Sequence, residues 1–207
     1  MVVTQAPVRQ LELVAEAKIF DILGKRLDAR LEASGVLAKD GLFYVIFDNM
    51  PHIARRDGQT YLLGLCEGNR CRGGDEGRIP GGGRVHVFRR GDRHWERVGK
   101  IRLPETVLFE DYSGIALAGD RIAVISQVSS AMWIGHLAPS GWQVTGPGTC
   151  YALPRGADGG IVYGTVEGVS WPAPDQLVMV SDKAKPEHDP RCRDKDQSIH
   201  IFRVPVP

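Results

Sequence analysis

The sequence predicts an all-β protein built from a repeated two-strand unit. First, a β-rich pattern that follows a polar residue and a glycine recurs at residues 33–49, 112–127 and 163–183 (ASGVLAKDGLFYVIFDN, YSGIALAGDRIAVISQ and YGTVEGVSWPAPDQLVMVSDK). Second, no helical period separates the copies, and 25 glycines and 13 prolines supply many turns. Recurrence of one supersecondary unit indicates a repeat architecture. Because two short strands joined by a tight turn begin a β-propeller blade, the predicted fold is a β-propeller.

The strand pattern predicts about four blades, some of them incomplete, in one domain over residues 10–207, after an N-terminal tail of residues 1–9. Blade one is expected to have strands at 33–37, 43–48 and 52–56, and blade two resumes with a second strand at 61–66. The strand ends Asp48 and Glu67 are only 19 positions apart, whereas a blade takes about 40–50 residues. The outer strand of blade one and the inner strand of blade two are therefore expected to be missing.

The later blades follow the repeat more regularly. Blade two continues with strands at 84–89 and 95–103, blade three has strands at 112–117, 121–126, 131–137 and 142–145, and blade four has strands at 166–171, 177–181 and 199–204. Residues 11–20 alternate apolar side chains as a strand does, although their Ala, Glu and Lys residues also favour a helix. Because a closed propeller needs its last blade completed by the other end of the chain, we expect a strand here that closes blade four.

Charge and composition narrow the class of partner. The net charge of +1 does not favour nucleic acid or an anionic membrane surface, and no apolar run approaches the ~18 residues of a membrane span. A small molecule is the expected partner, and the oligomeric state is open. The first residues lack the pattern of a secretory signal, so the sequence as given predicts a cytoplasmic protein, or a secreted or periplasmic one if a leader was removed. Four cysteines allow three disulfide pairings, none deducible from sequence.

Polar residues at equivalent places of the repeats are expected to face one mouth of the central channel, since first strands start and second strands end at the same face. These residues are Ser34, Ser113 and Glu167 at first strands, Asp48, Glu67, Gln127 and Asp182 at second-strand ends, and Asp111, Asn69 and Lys183 beside them. Converging oxygen donors suit Ca²⁺, which takes six to eight oxygen ligands. The alternative is structural, because a carboxylate or amide at a strand end commonly caps backbone N–H groups of the next turn.

Arg72 lies in a Gly-rich polar loop, residues 68–83, that contains several arginines. Glycines and arginines together can cradle a phosphate. The nucleotide-binding motif G-x-x-x-x-G-K-[ST] is absent, however. A solvated hairpin is therefore the alternative role for this loop.

The stretches EGVSWPAPDQLVMVSDK and ASGVLAKDGLFYVIFDN resemble the blade repeat of the bacterial esterase-like phytase and SdiA-regulated propeller families. More loosely, the Glu-Gly step before a strand that ends in Asp is similar to the gluconolactonase and paraoxonase propellers. The resemblance implies a calcium-dependent site of acidic and amide residues around the channel mouth. By position, its ligands here would be Asp48, Glu67, Asn69, Glu167 and Asp182.

The first functional hypothesis is therefore a metal-dependent hydrolase, with calcium as the expected metal, that acts on an ester, lactone or phosphoester. The metal would polarise a substrate oxygen and activate water, with Glu67 or Glu167 as the catalytic carboxylate. The residues expected to contact substrate are Asp111, Ser113, Gln127, Lys183 and Arg72. The second hypothesis is a non-catalytic binding or scaffold propeller, because the sequence contains neither a G-x-S-x-G nucleophile motif nor another complete catalytic set.

Overall fold

The computed structural model describes residues 9–23, 33–47, 52–56, 59–66 and 82–205. The elements before residue 82 are β1 (Arg9–Gln10), β2 (Glu12–Lys18), α1 (Ile19–Leu23), β3 (Ala33–Lys39), β4 (Leu42–Phe47), β5 (His52–Arg56) and β6 (Gln59–Leu65). The elements after it are β7 (Arg84–Arg90), β8 (Trp95–Arg102), β9 (Gly114–Ala118), β10 (Arg121–Ser126), β11 (Ala131–Leu137), β12 (Val144–Ala152), β13 (Val166–Ala173), β14 (Gln176–Ser181), a 3-10 helix (Pro190–Asp194) and β15 (Ser198–Arg203). The predicted all-β class is confirmed.

Within the described ranges, the strands form four separate sheets. Sheet one is β3–β4, sheet two is β5–β6–β7–β8, sheet three is β9–β10–β11–β12 with β1 added at its edge, and sheet four is β13–β14–β15–β2. Neighbouring strands are antiparallel, except that β1 runs parallel to β12. Each sheet therefore contains strands that follow one another along the chain, apart from the two N-terminal strands.

The assignment of residues 52–56 to blade one is wrong. β5 pairs with β6 in a regular antiparallel ladder from His52↔Leu63 to Arg56↔Gln59, so it is the first strand of sheet two. Sheet one has two strands in the described part of the chain. The short interval between Asp48 and Glu67 therefore contains the first strand of sheet two, so the inner strand that was expected to be missing is present.

The N-terminal strand closes the last sheet, as predicted. β2 pairs with β15 from Ser198↔Lys18 to Arg203↔Glu12. The predicted strand extended to residue 20, but the structure ends it at Lys18 and places α1 directly after it. Arg9, the last residue of the predicted tail, lies in β1 and pairs with Tyr151 of β12. The N-terminal segment therefore joins two different sheets, and Leu11 between β1 and β2 is 2% exposed.

Neighbouring sheets pack against one another, and the second strands of sheets three and four, β10 and β14, are buried on both faces. In β10, Ile122 and Val124 belong to the core cluster shared with sheet two, whereas Ile125 belongs to the cluster shared with sheet four. In β14, Met179 faces sheet three and Val180 faces sheet one. This explains why both strands read as continuous apolar runs rather than as alternating ones.

The first strands of neighbouring sheets contact one another in the order β3, β13, β9 and β5. The starts of β9 and β13 lie beside the ends of β10 and β14, and the predicted site residues that the structure describes lie at these strand ends. No helix in the described part of the chain is long and apolar enough to cross a membrane.

Candidate functional site

The candidate site lies where β9 and β13 begin and where β10 and β14 end. Ser113, just before β9, donates a hydrogen bond from its hydroxyl to the carbonyl of Val166 at 2.9 Å, which joins the starts of the two first strands. At the end of β14, the Asp182 amide donates to Thr165 at 2.9 Å. The structure therefore brings the predicted residues of sheets three and four to one end of the molecule: Asp111, Ser113, Gln127, Glu167, Asp182 and Lys183.

Asp111 fixes the turn that follows β10. Its Oδ1 atom accepts hydrogen bonds from the hydroxyl of Ser126 and, at 3.1 Å, from the amide of Val128. Burial raises the pKa of Asp111, and the bonds from Ser126, Val128 and the Gln127 side chain partly offset that rise. Both Asp111 and Gln127, which were predicted to contact substrate, are thus engaged with each other and with the turn.

Asp182 has a similar role at the end of β14. It is 6% exposed, and its Oδ1 atom accepts the amide hydrogen of Lys183. Its own carbonyl accepts the amide of Gln197 at 3.3 Å. Asp182 therefore caps the turn after its own strand, which is the structural role considered above as the alternative to metal binding. The side chain of the next residue, Lys183, is exposed.

Glu167 is half-buried in β13, and its backbone lies against the neighbouring first strand. A Cβ atom on Gly114 would come within 2.2 Å of the Glu167 carbonyl oxygen. The two first strands therefore approach backbone to backbone at the position where the repeats carry a polar residue followed by glycine. This close approach explains why the repeat has glycine here, because a larger residue would clash with the neighbouring strand.

Four predicted site residues, Asp48, Glu67, Asn69 and Arg72, lie outside the described residues. Among the residues that are described, no group of three or more His, Cys, Asp or Glu side chains is placed to hold a metal ion. Glu167 and Asp182 therefore do not form a metal site with other described residues. The predicted calcium site depends on Asp48, Glu67 and Asn69 and stays a prediction.

A buried hydrogen-bond network of polar side chains in sheet four was not predicted from the sequence. The Nε2 atom of His200 lies 2.8 Å from the hydroxyl of Ser181, and its Nδ1 atom lies 3.3 Å from Oε2 of Glu16. Glu16 in turn accepts hydrogen bonds from Lys195 and from the hydroxyl of Tyr163. The order serine, histidine, carboxylate matches that of a hydrolase triad.

The burial of Ser181 and His200 argues against catalysis by this network. Ser181 and His200 are both 0% exposed, so no substrate carbonyl can reach the serine oxygen. Burial lowers the pKa of His200 to about 4, although Glu16 opposes the shift. The imidazole is therefore neutral near pH 7. Since a carboxylate only accepts, Nδ1 carries the proton toward Glu16 and Nε2 accepts from Ser181. The network therefore has a structural role, since it joins the strands β14, β15 and β2.

The cysteines divide into two kinds. Cys66 is disulfide-bonded, whereas Cys150 and Cys192 are free. Burial raises the pKa of both free thiols, which disfavours the reactive thiolate. Neither free cysteine has the features of a catalytic nucleophile.

No family model matches the chain, and no curated protein matches it. Among solved structures, the chain is similar to the crystal structure of Myxococcus xanthus glutaminyl cyclase, with a TM-score of 0.49 and 12% sequence identity over 97% of this chain and 100% of that chain. The phytase-like, SdiA-regulated and lactonase resemblances are thus not confirmed by any family model or curated relative.

Proposed function

We propose that the four sheets are blades of a β-propeller, and that the protein binds a small molecule at the end where β9 and β13 begin without catalysing a reaction. The contacts of the first strands, in the order β3, β13, β9 and β5, support the propeller arrangement. So does the packing of β10 and β14, whose side chains alternate between two neighbouring sheets.

One observation favours binding over catalysis. The carboxylates of Asp111 and Asp182 accept backbone amide hydrogens at their own strand ends. They therefore order the loops at this end of the sheets, as the capping alternative predicts. Lys183 is exposed at this end and is the first proposed ligand contact, with Glu167 and Arg72 as further proposed contacts.

A calcium-dependent hydrolase of an ester, lactone or phosphoester is the second candidate. It is favoured by the location of Glu167 and Asp182 at the same end of the molecule. The resemblance to calcium-dependent propellers assigns both residues as calcium ligands. Asp48, Glu67 and Asn69 would supply the remaining oxygen donors. Glu67 or Glu167 would then take a proton from the attacking water.

The binding proposal is tested by a thermal-shift screen of the full chain against a library of small metabolites. Compounds that raise Tm by binding the folded state are expected to lose most of that effect in Lys183→Gln and Glu167→Gln. The matched control is Lys185→Gln, which removes the same charge from a neighbouring exposed position. A screen without stabilising compounds, or compounds equally active on all three variants, would contradict this location of the site.

Metal and turnover measurements separate the two candidates. The binding proposal predicts no Tm shift with millimolar Ca²⁺, Mg²⁺ or Mn²⁺ and no metal-dependent turnover of ester, lactone or phosphoester substrates. The hydrolase predicts a Ca²⁺-dependent rise in Tm and turnover that Glu167→Gln abolishes. Glu96→Gln, which removes the charge of an exposed carboxylate paired with Arg89, is the control and should leave both readouts unchanged.

A further inference from the structure

Sheets two and three leave a cavity between their outer strands, β8 and β12. Its volume is about 420 Å³, which lies in the range of small-molecule sites. Lys100 and Arg102 line it on the side of β8, and Trp142, Gln143 and Val144 line it on the side of β12. The cavity thus combines two cations with an aromatic ring and an amide, and none of these residues belongs to the site proposed above.

The indole of Trp142 is held in place by its neighbours. It meets the ring of Tyr61 edge-on, with 4.9 Å between ring centroids. It also lies so close to β8 that a Cβ on Gly99 would be 2.9 Å from its Cδ1 atom. The ring is therefore a fixed wall of the cavity, and Gly99 provides the space for it.

Lys100 and Arg102 lie opposite basic residues of β7. Arg102 of β8 pairs with Arg84 of β7, and Lys100 pairs with His86. Like charges directly opposite one another destabilise an antiparallel pair. A bound anion would offset the positive charge of Lys100 and Arg102.

The electrostatics of Lys100 point the same way. Desolvation lowers the pKa of its ammonium group, and the positive charges of Arg102, Arg84 and Arg97 lower it further. The pKa of His86 is lowered by burial and then by Arg97, Arg84 and Lys100. Among the described residues, the charges that act on these two groups are positive, and a positive field attracts anions.

We propose that this cavity binds a small oxyanion ligand, with its phosphate, sulfate or carboxylate group on Lys100 and Arg102 and an aromatic or apolar group against Trp142. Charge-assisted hydrogen bonds from a guanidinium and an ammonium group suit such oxyanions. The indole face adds apolar contact area beside them. The site is independent of the proposed function, because it lies at the outer strands rather than at the starts of the first strands.

Calorimetric titration of the full chain tests this assignment. The probes are phenyl phosphate, phenyl sulfate and benzoate, which share one ring and differ in the anion, together with inorganic phosphate and phenyltrimethylammonium. We expect at least one aryl oxyanion to bind more tightly than inorganic phosphate, and its affinity to fall as NaCl screens the charges. The comparison among the three aryl anions identifies the preferred group. The proposal would be overturned if none of the three aryl anions bound at about 10 mM, a concentration far above the Kd expected for a small-molecule site. Equal binding of phenyltrimethylammonium would also overturn it.

Variants locate the binding. Lys100→Gln combined with Arg102→Gln is expected to weaken the aryl oxyanion by about tenfold or more, and Trp142→Phe to weaken it without abolishing it. The control is Arg90→Gln, which removes a cation from the other end of β7 and should leave affinity unchanged within about twofold. The Tm of the double variant should stay close to that of the unmodified protein, because neither side chain is buried in the core. Unchanged affinity in the folded double variant would also overturn the assignment.

Discussion

Two glycines of the repeat are required because the first strands approach so closely. A Cβ on Gly114 would lie 2.2 Å from the carbonyl oxygen of Glu167, and one on Gly168 would lie 2.8 Å from Cα of Gly35. No non-bonded atoms tolerate such distances without movement of the backbone. The glycine of the polar–Gly step is therefore needed where the first strands of neighbouring sheets contact each other.

Gly114→Ala is expected to lower the free energy of unfolding by about 2 kcal/mol or more, since the clash involves main-chain atoms. The matched control is Gly64→Ala, another strand glycine whose added Cβ would meet its nearest atom, on Phe88, at 3.7 Å. The control should be neutral or stabilising by up to about 1 kcal/mol. Urea unfolding with a common m-value measures both, and equal stability of the two variants would show that the first strands are farther apart.

His200 makes stability depend on pH in a defined direction. Its pKa is about 4 in the folded protein and about 6.5 in an unfolded chain, so the unfolded state binds more protons between these values. The stability contributed by neutral His200 is therefore present above pH 6.5 and is lost as pH falls toward 4. The expected loss is about 3 kcal/mol. Glu16, whose pKa is lowered by Lys195 and His200 despite its partial burial, adds to the loss at the acid end.

Chemical unfolding at several pH values between 4 and 7 checks this. His200→Gln should remove most of the slope, because it deletes the titrating group while keeping a polar side chain. His136→Gln changes an exposed histidine that is paired with Asp120, and should keep the slope. The same slope in His200→Gln and the unmodified protein would mean that another group controls the pH dependence.

At the scale of elements, the N-terminal segment determines how the sheets are finished. β1 adds to the edge of β12 and β2 to the edge of β15, so the ten residues 9–18 cover two sheet edges. The ion pair between Arg203 and Glu12 and the bonds of Glu16 to His200 and Lys195 attach β2 at both ends. Since the surface pair is exposed, it adds little, and the ladder and the buried His200 contribute most of the attachment.

Deleting residues 1–20 is expected to give an insoluble or dimeric protein, because it exposes the edge of β15 and the apolar surface beneath Leu11. Deleting residues 1–8 leaves every pairing of β1 and β2 in place and should leave Tm unchanged. Size-exclusion chromatography and thermal unfolding of the two shortened chains measure the effect. A soluble monomer with the original Tm after the longer deletion would rule out a closing role for β2.

At the scale of the whole molecule, neighbouring sheets share hydrophobic clusters. Sheet three packs against sheet two through Val85 and Ile122 and against sheet four through Ile125 and Met179. Sheet four packs against sheet one through Val36 and Val180. A repeat that contacts only its neighbours has the nearest-neighbour energetics of repeat architectures, so damage to one sheet is expected to weaken the next.

The sequence by itself determined the all-β class, most strand positions and the closing strand near the N-terminus. These follow from local patterns, namely side-chain alternation, turn residues and the recurring polar–Gly step. Only the tertiary structure decided that residues 52–56 begin sheet two, that β1 extends sheet three, and that Asp111 and Asp182 order their own strand ends. It also decided the hydrogen-bond network of Ser181, His200 and Glu16 and the cavity that both Lys100 and Trp142 line. Each of these depends on which strands pair or pack, a choice made by the burial of whole sheets and encoded by no short stretch of residues.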